Sequence, residues 1–190
     1  MESGTALSVL PHFRKIDLIF SIPFQKEFIM TESETPKTNK PPLNHDELRA
    51  KLPFSVAGLL PHGEPFALID TIVDEWDMGG KTTSVVHPDH PLAAADGSTG
   101  AETFIEYAAQ TAAVLDAFQR HDKSFGGLLV EVVDSEYTAI PHVGDTMDVI
   151  INVQYDLGKW RGIGYEAFLN GKPAAKGTLK LFLTNYEEKK

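Results

Sequence analysis

The chain has 190 residues, no cysteine and a formal net charge of −10. Its length suits one domain with a substantial core. The lack of thiols excludes disulfides, cysteine nucleophiles and thiolate metal sites, and the acidic balance argues against nucleic acid, whose phosphates need basic surface.

Hydrophobic residues make up 42% and charged residues 23%, and no apolar run reaches bilayer length, so a soluble, cytoplasmic protein is expected. Residues 1–29 start with acidic Glu2, and their one apolar run, residues 16–20, is broken by Asp17 and followed by Pro23. That is not the pattern of a signal peptide. Residues 30–42 are polar and proline-rich, which predicts disorder. Useful protein is expected to begin at Met30 or soon after. Residues 1–45 are thus read as a disordered or dispensable segment and residues 46–187 as the folded domain.

Residues 46–52 are compatible with a short helix that Pro53 stops, and residues 58–63 with a loop. Residues 66–73 read as a strand, residues 78–80 as a turn containing Gly79 and Gly80, and residues 81–87 as a returning strand. Residues 88–97, with Pro88, Pro91 and Gly97, form a connecting loop.

Residues 98–120 are the only long, strongly helix-favouring stretch. Thr99 and Glu102 have the spacing of a capping box. Phe104, Ile105, Ala108, Ala109, Ala112 and Leu115 recur at helical spacing. The many alanines keep the helix thin, so a sheet can approach it closely. Glu106 and Gln110 stand four apart on an adjoining stripe, and a carboxylate beside a buried face is costly unless it is paired or used. The helix is expected to end near His121. Strands are expected at residues 128–135, 146–156, 163–169 and 174–184, with Asn170-Gly171 as a strong hairpin signal. This order predicts an α+β fold, an antiparallel sheet wrapped around one central helix.

Nothing here forms a phosphate loop, a nucleophile elbow at Ser98, or a histidine pair spaced for metal on a helix, so no metal is expected. Of the seven histidines, His62, His87, His90 and His142 fall near turns or strand ends. Histidines in such places are commonly exposed or bonded to backbone. Glu106 also has a plain alternative as a surface or dimer-pairing glutamate, and Gln110 one as a hydrogen-bonding brace.

Leu60-Pro61-His62 followed by residues 65–70 (Pro-Phe-Ala-Leu-Ile-Asp), Glu106-Tyr107-Ala108-Ala109-Gln110 and residues 141–145 (Pro-His-Val-Gly-Asp) resemble the hotdog-fold 3-hydroxyacyl-[acyl carrier protein] dehydratases. The resemblance covers residues 59–183. It implies a sheet rolled around one helix, dimers joined sheet edge to sheet edge, and an acyl chain carried on a phosphopantetheine arm, with no cofactor of the enzyme's own. It assigns the acid that protonates the leaving hydroxyl to Glu106, and carbonyl polarisation to the backbone near Gly100 and Ala101. The family's Gly-His-Phe-Pro-Gly run, which carries its base, is replaced here by a shorter loop at residues 89–98, a departure similar to the aryl-polyene branch, where a second hotdog subunit can be a partner.

The expected function is dehydration of a 3-hydroxyacyl thioester to the trans-2-enoyl thioester in fatty-acid-like or polyene biosynthesis. Glu106 and His62 are the catalytic candidates, and Gly100, Ala101, Gln110 and His90 the substrate-binding ones, with His90 second to His62 as base. The expected partners are an acyl carrier protein and a homodimeric or heterodimeric hotdog subunit. The alternatives are an acyl thioesterase and a non-catalytic subunit that completes a heterodimer.

Overall fold

The computed structural model describes residues 46, 49–57, 59–60, 62–120 and 127–184, all within the compact unit Pro41–Lys190. The expectations for residues 1–45 and for the helix end at His121 lie outside the described residues. Of the short helix expected at residues 46–52, Asp46 and Arg49 are helical, and Ala50 N–H bonds the Asp46 carbonyl at 3.1 Å.

Seven strands form one antiparallel sheet: β1 (Phe54–Ser55), β2 (Thr71–Trp76), β3 (Gly79–Val85), β4 (Gly127–Tyr137), β5 (Thr146–Leu157), β6 (Trp160–Leu169) and β7 (Lys172–Leu183), in the order β1-β2-β3-β5-β6-β7-β4. Among the described residues a single long helix, α1 (Glu102–Arg120), lies between β3 and β4 in sequence and packs against β5 first, and also against β2, β3, β6 and β7. This is the expected α+β architecture.

Period-two burial builds the sheet side of the core, with Met147, Val149 and Ile151 of β5, Ile163, Tyr165, Ala167 and Leu169 of β6, and Leu179, Leu181 and Leu183 of β7 all buried. The helix answers with Phe104, Tyr107, Ala108, Thr111, Val114, Leu115 and Phe118, at the three- and four-residue spacing of one face. Ile105 and Ala109 lie at the margin of that face rather than at its centre.

The β6–β7 hairpin turns at Asn170 (φ 51°) and Gly171 (φ 76°), the paired left-handed residues of a type I′ turn. The β2–β3 turn falls one residue earlier than expected, with Met78 in the left-handed region (φ 66°) and Gly79 and Gly80 inside β3. The reason is a close approach rather than a turn: a Cβ on Gly80 would run into Leu115 of α1, and one on Gly79 into the Trp76 ring and the Ile151 carbonyl.

Two charged clusters tie the C-terminal half of α1 to the sheet. Arg161 of β6 donates to Asp116 of α1 at 3.0 Å and to Asp156 of β5 at 2.7 Å. Burial works against its charge, yet the hydrogen bonds to the two carboxylates hold the guanidinium above its ordinary range. Arg49 reaches Glu75 of β2 at 2.6 Å, and Gln119 of α1 donates to the same carboxylate at 2.8 Å. Replacing Arg161 with leucine takes the guanidinium from the largely buried Asp116 and from the more exposed Asp156. Denaturant melts should record a loss of about 3 kcal/mol, the range seen when one member of a buried ion pair is removed. Adding Asp116→Asn to the Arg161→Leu chain should recover part of that loss.

Candidate active site

The apolar segment at residues 66–70, expected as the start of a strand, is not in the sheet; β2 begins only at Thr71. Several of its backbone groups are claimed by side chains, while the Asp70 carbonyl accepts the Val56 N–H at 3.0 Å. Gln110, 2% exposed, accepts the Leu68 N–H at 2.9 Å through Oε1 and donates through Nε2 to the Phe66 carbonyl at 2.8 Å. Asp70 N–H donates to Ser84 Oγ at 3.1 Å. Buried backbone donors must find partners somewhere, and here a helix side chain supplies them in place of a neighbouring strand.

The same Gln110 Nε2 donates to Glu106 Oε1 at 2.8 Å. Glu106 is half-buried one turn before it, and Oε2 has no partner among the described residues. The pair read from sequence spacing is therefore a bonded pair, with the carboxyl oriented by a fully buried amide.

His90 is 5% exposed in the loop ahead of α1. Its ring lies parallel to Tyr107, at 6.0 Å between centroids and 2° between planes. Leu92 N–H donates to its Nδ1 at 3.2 Å, while Nε2 is buried with no hydrogen-bond partner among the described residues. Burial pulls the ring's pKa below its ordinary value; Asp89 opposes this and His87 adds to it. Burial also raises the Tyr107 phenol, with Asp70 adding to the rise, so this hydroxyl stays neutral. His90 and Tyr107 line a cavity of about 120 Å³ together with Leu68, Asp70, His87 and Asp89.

His62 faces a different cavity, of about 460 Å³, beside Val56, Leu60, Ile69 and Thr71, and its Nδ1 is also buried, with no hydrogen-bond partner among the described residues. The two cavities share Glu64, Ala67 and Asp70, and Glu106 lines neither. His87 is exposed, 3.7 Å from Asp70, and His142 is exposed with Nδ1 3.1 Å from the Ile140 carbonyl.

The helix start differs from a capping box. Thr99 Oγ1 donates to the Pro141 carbonyl at 3.4 Å, its N–H to the same oxygen at 2.8 Å, and the Glu102 carboxylate folds back against Gly100, where a Cβ would overlap its oxygens. Gly100 and Ala101 open the helix through the tight bonds Thr103 N–H to Gly100 O and Phe104 N–H to Ala101 O. Tyr107, which holds the ring of His90, is not among the site residues singled out from sequence. Its place between Phe104 and Thr111 on the buried face is the signal that points to it.

Among the described residues no cluster of histidine and carboxylate side chains is arranged to hold a metal ion, and no helix is long and apolar enough to cross a membrane. One long helix packed against a long antiparallel sheet is a hotdog fold. The family model described as ApeP dehydratase, of the ApeP-like family, matches residues 54–184, and the chain belongs to that family. No curated protein matches the chain.

Among solved structures, the chain is similar to the dehydratase heterocomplex ApeI:P from Xenorhabdus doucetiae, with 21% identity, 70% of this chain and 92% of that chain covered, and a TM-score of 0.63. It is also similar to smu.793 from Streptococcus mutans UA159 bound to acetyl CoA, with 15% identity, 68% and 98% covered, and a TM-score of 0.52. A third is Cj0977, a sigma28-regulated virulence protein from Campylobacter jejuni, with 16% identity, 75% and 91% covered, and a TM-score of 0.51.

Two expected outcomes follow from this geometry. Gln110→Leu leaves the Leu68 N–H without an acceptor and should cost about 2 kcal/mol in denaturant melts. The His90 ring, held below its ordinary value of 6.5, refuses a proton that the unfolded chain accepts. Its share of stability is therefore intact above that pH and is lost as the pH falls below it. The difference in melting temperature between the parent and His90→Gln should shrink on going from about pH 7 to about pH 5.

Proposed function

We propose that the chain is a cytoplasmic dehydratase subunit that removes water from a 3-hydroxyacyl thioester, carried on the phosphopantetheine of an acyl carrier protein, to give the trans-2-enoyl thioester in fatty-acid-like or polyene biosynthesis. The observation that carries this reading is the bonded Glu106–Gln110 pair on the central helix of a chain that belongs to a dehydratase family. Dehydration needs an acid for the leaving hydroxyl, a base for the α-proton and donors for the carbonyl oxygen, on which negative charge grows. Glu106 is the acid. Gln110 occupies Oε1 and leaves Oε2 to carry the proton to the hydroxyl. Gly100, Ala101 and His90 hold the thioester end, while Gln110, its amide engaged by Phe66, Leu68 and Glu106, positions the acid.

The base comes from a second hotdog subunit. The run that carries the base in the hotdog dehydratases is replaced here by the shorter loop at residues 89–98, so the single chain holds an acid without the usual base. The likeness to the ApeI:P heterocomplex supports such a partner, and so does β4. Among the described residues this strand ends the sheet order, and Leu128, Leu129, Val130 and Tyr137 are exposed, which suits it to pairing with another sheet.

The test offers a 3-hydroxyacyl carrier-protein thioester to the purified chain, alone and with the hotdog protein encoded nearest to it. Enoyl product is expected only with the partner. Glu106→Gln should lower kcat in that complex by about 10²- to 10⁴-fold, the usual worth of a placed acid, with little change in KM. Absence of turnover in both mixtures rejects the proposal, and release of free thiol without enoyl product replaces it with a thioesterase.

A further inference from the structure

The hydrogen bonds around His90 fix which ring nitrogen carries its proton. Leu92 N–H points at Nδ1 from 3.2 Å, and a backbone N–H can only donate, so Nδ1 must present its lone pair. In the neutral ring the proton then sits on Nε2. That Nε2 is buried and has no acceptor among the described residues, on a side chain 5% exposed that lines the smaller cavity. A buried N–H without an acceptor is costly in the resting protein, and the cost is recovered when an oxygen arrives. The Tyr107 ring lies parallel to the imidazole and is itself 1% exposed.

We propose that His90 is a neutral hydrogen-bond donor, its Nε2–H directed to the carbonyl oxygen of the bound thioester, and that it does not serve as the base. This rests on the dehydratase reading above and assigns one of its groups. A ring in this tautomer has no lone pair on Nε2 to take an α-proton, and the lone pair on Nδ1 is spent on Leu92.

The step balances without any change in His90. The α C–H bond breaks, its proton goes to the second subunit's base, and its electron pair moves toward the carbonyl oxygen, where the Nε2–H bond strengthens. The pair then returns to form the C=C bond as the β C–O bond breaks, and the hydroxyl leaves as water with the Glu106 proton. A preorganised neutral donor of this kind favours the charge that develops in the transition state.

The charged and titratable groups facing the ring are Asp89, which raises its pKa, and His87, which lowers it; burial outweighs both and favours the uncharged ring. Asp70 and Glu64 line the same cavity. Asp70 is engaged with the Val85 N–H at 2.9 Å and lies near His87, and Glu64 is exposed to screening solvent.

Nitrogen-15 spectra of the full chain labelled at histidine read the tautomer directly, with the His90 signals identified by their loss in His90→Gln. A protonated Nε2 and an unprotonated Nδ1 at neutral pH are expected; the opposite tautomer, or an imidazolium, overturns the proposal. Turnover of 3-hydroxybutyryl-pantetheine by the complex with the hotdog partner reads the role. The side-chain amide introduced by His90→Gln can donate from the Nε2 position but cannot accept the α-proton, so this variant should stay within about tenfold of the parent, whereas His90→Ala should lose about 10²- to 10³-fold, as for other oxyanion donors. Equal loss in both variants overturns the donor role. A parent complex that turns nothing over removes the dehydratase reading and the carbonyl contact with it, while the tautomer stands or falls on the spectrum alone.

Discussion

One buried amide sets the shape of the site. Gln110 bonds the Leu68 N–H, the Phe66 carbonyl and the Glu106 carboxyl with its two polar atoms, and at 2% exposure it has no water to fall back on. Its acceptor and its donor must both be used, because an amide left half-satisfied in the core is costly. That requirement draws residues 66–70 out of the sheet and onto the helix. The space that opens between this segment, the helix and the loop bearing His90 is the smaller cavity. The orientation of the acid and the existence of the pocket thus have a common cause.

The helix divides its work along its length. Its C-terminal half is locked by an ion pair from Asp116 to Arg161 and a hydrogen bond from Gln119 to Glu75, and its middle by the Thr82–Thr111 hydroxyl pair at 2.7 Å. Rigid anchoring at one end lets the other carry side chains whose partners are incomplete, such as Glu106 with one bonded oxygen and the ring of Tyr107 beside His90. Catalytic groups need this kind of support, since small displacements of a reacting atom cost rate steeply.

The parts of the fold that are legible in the sequence are those written in local periodicity. The helical spacing of residues 104–115, the alternation of β5 to β7 and the Asn170-Gly171 turn each announce themselves within a few residues. Residues 66–70 mislead because an apolar run looks the same whether its backbone bonds a strand or a distant glutamine; the deciding contacts lie 42 and 44 residues away. Gly79 and Gly80 mislead for a related reason, since their lack of a side chain answers to Leu115 on the helix rather than to the turn beside them. Two-residue β1 offers no pattern to find. In the site, Glu106 and Gln110 are legible because both lie on one regular helix. The stacking of His90 on Tyr107 is not, because an irregular loop sets where the histidine falls.

The first five residues of β4 are exposed, so neither of the strand's faces is covered there, and Leu128, Leu129 and Val130 lie side by side in it. Such a strand is a template for non-specific pairing whenever it stands open. The isolated chain therefore carries its own aggregation hazard, and whatever covers the strand removes it.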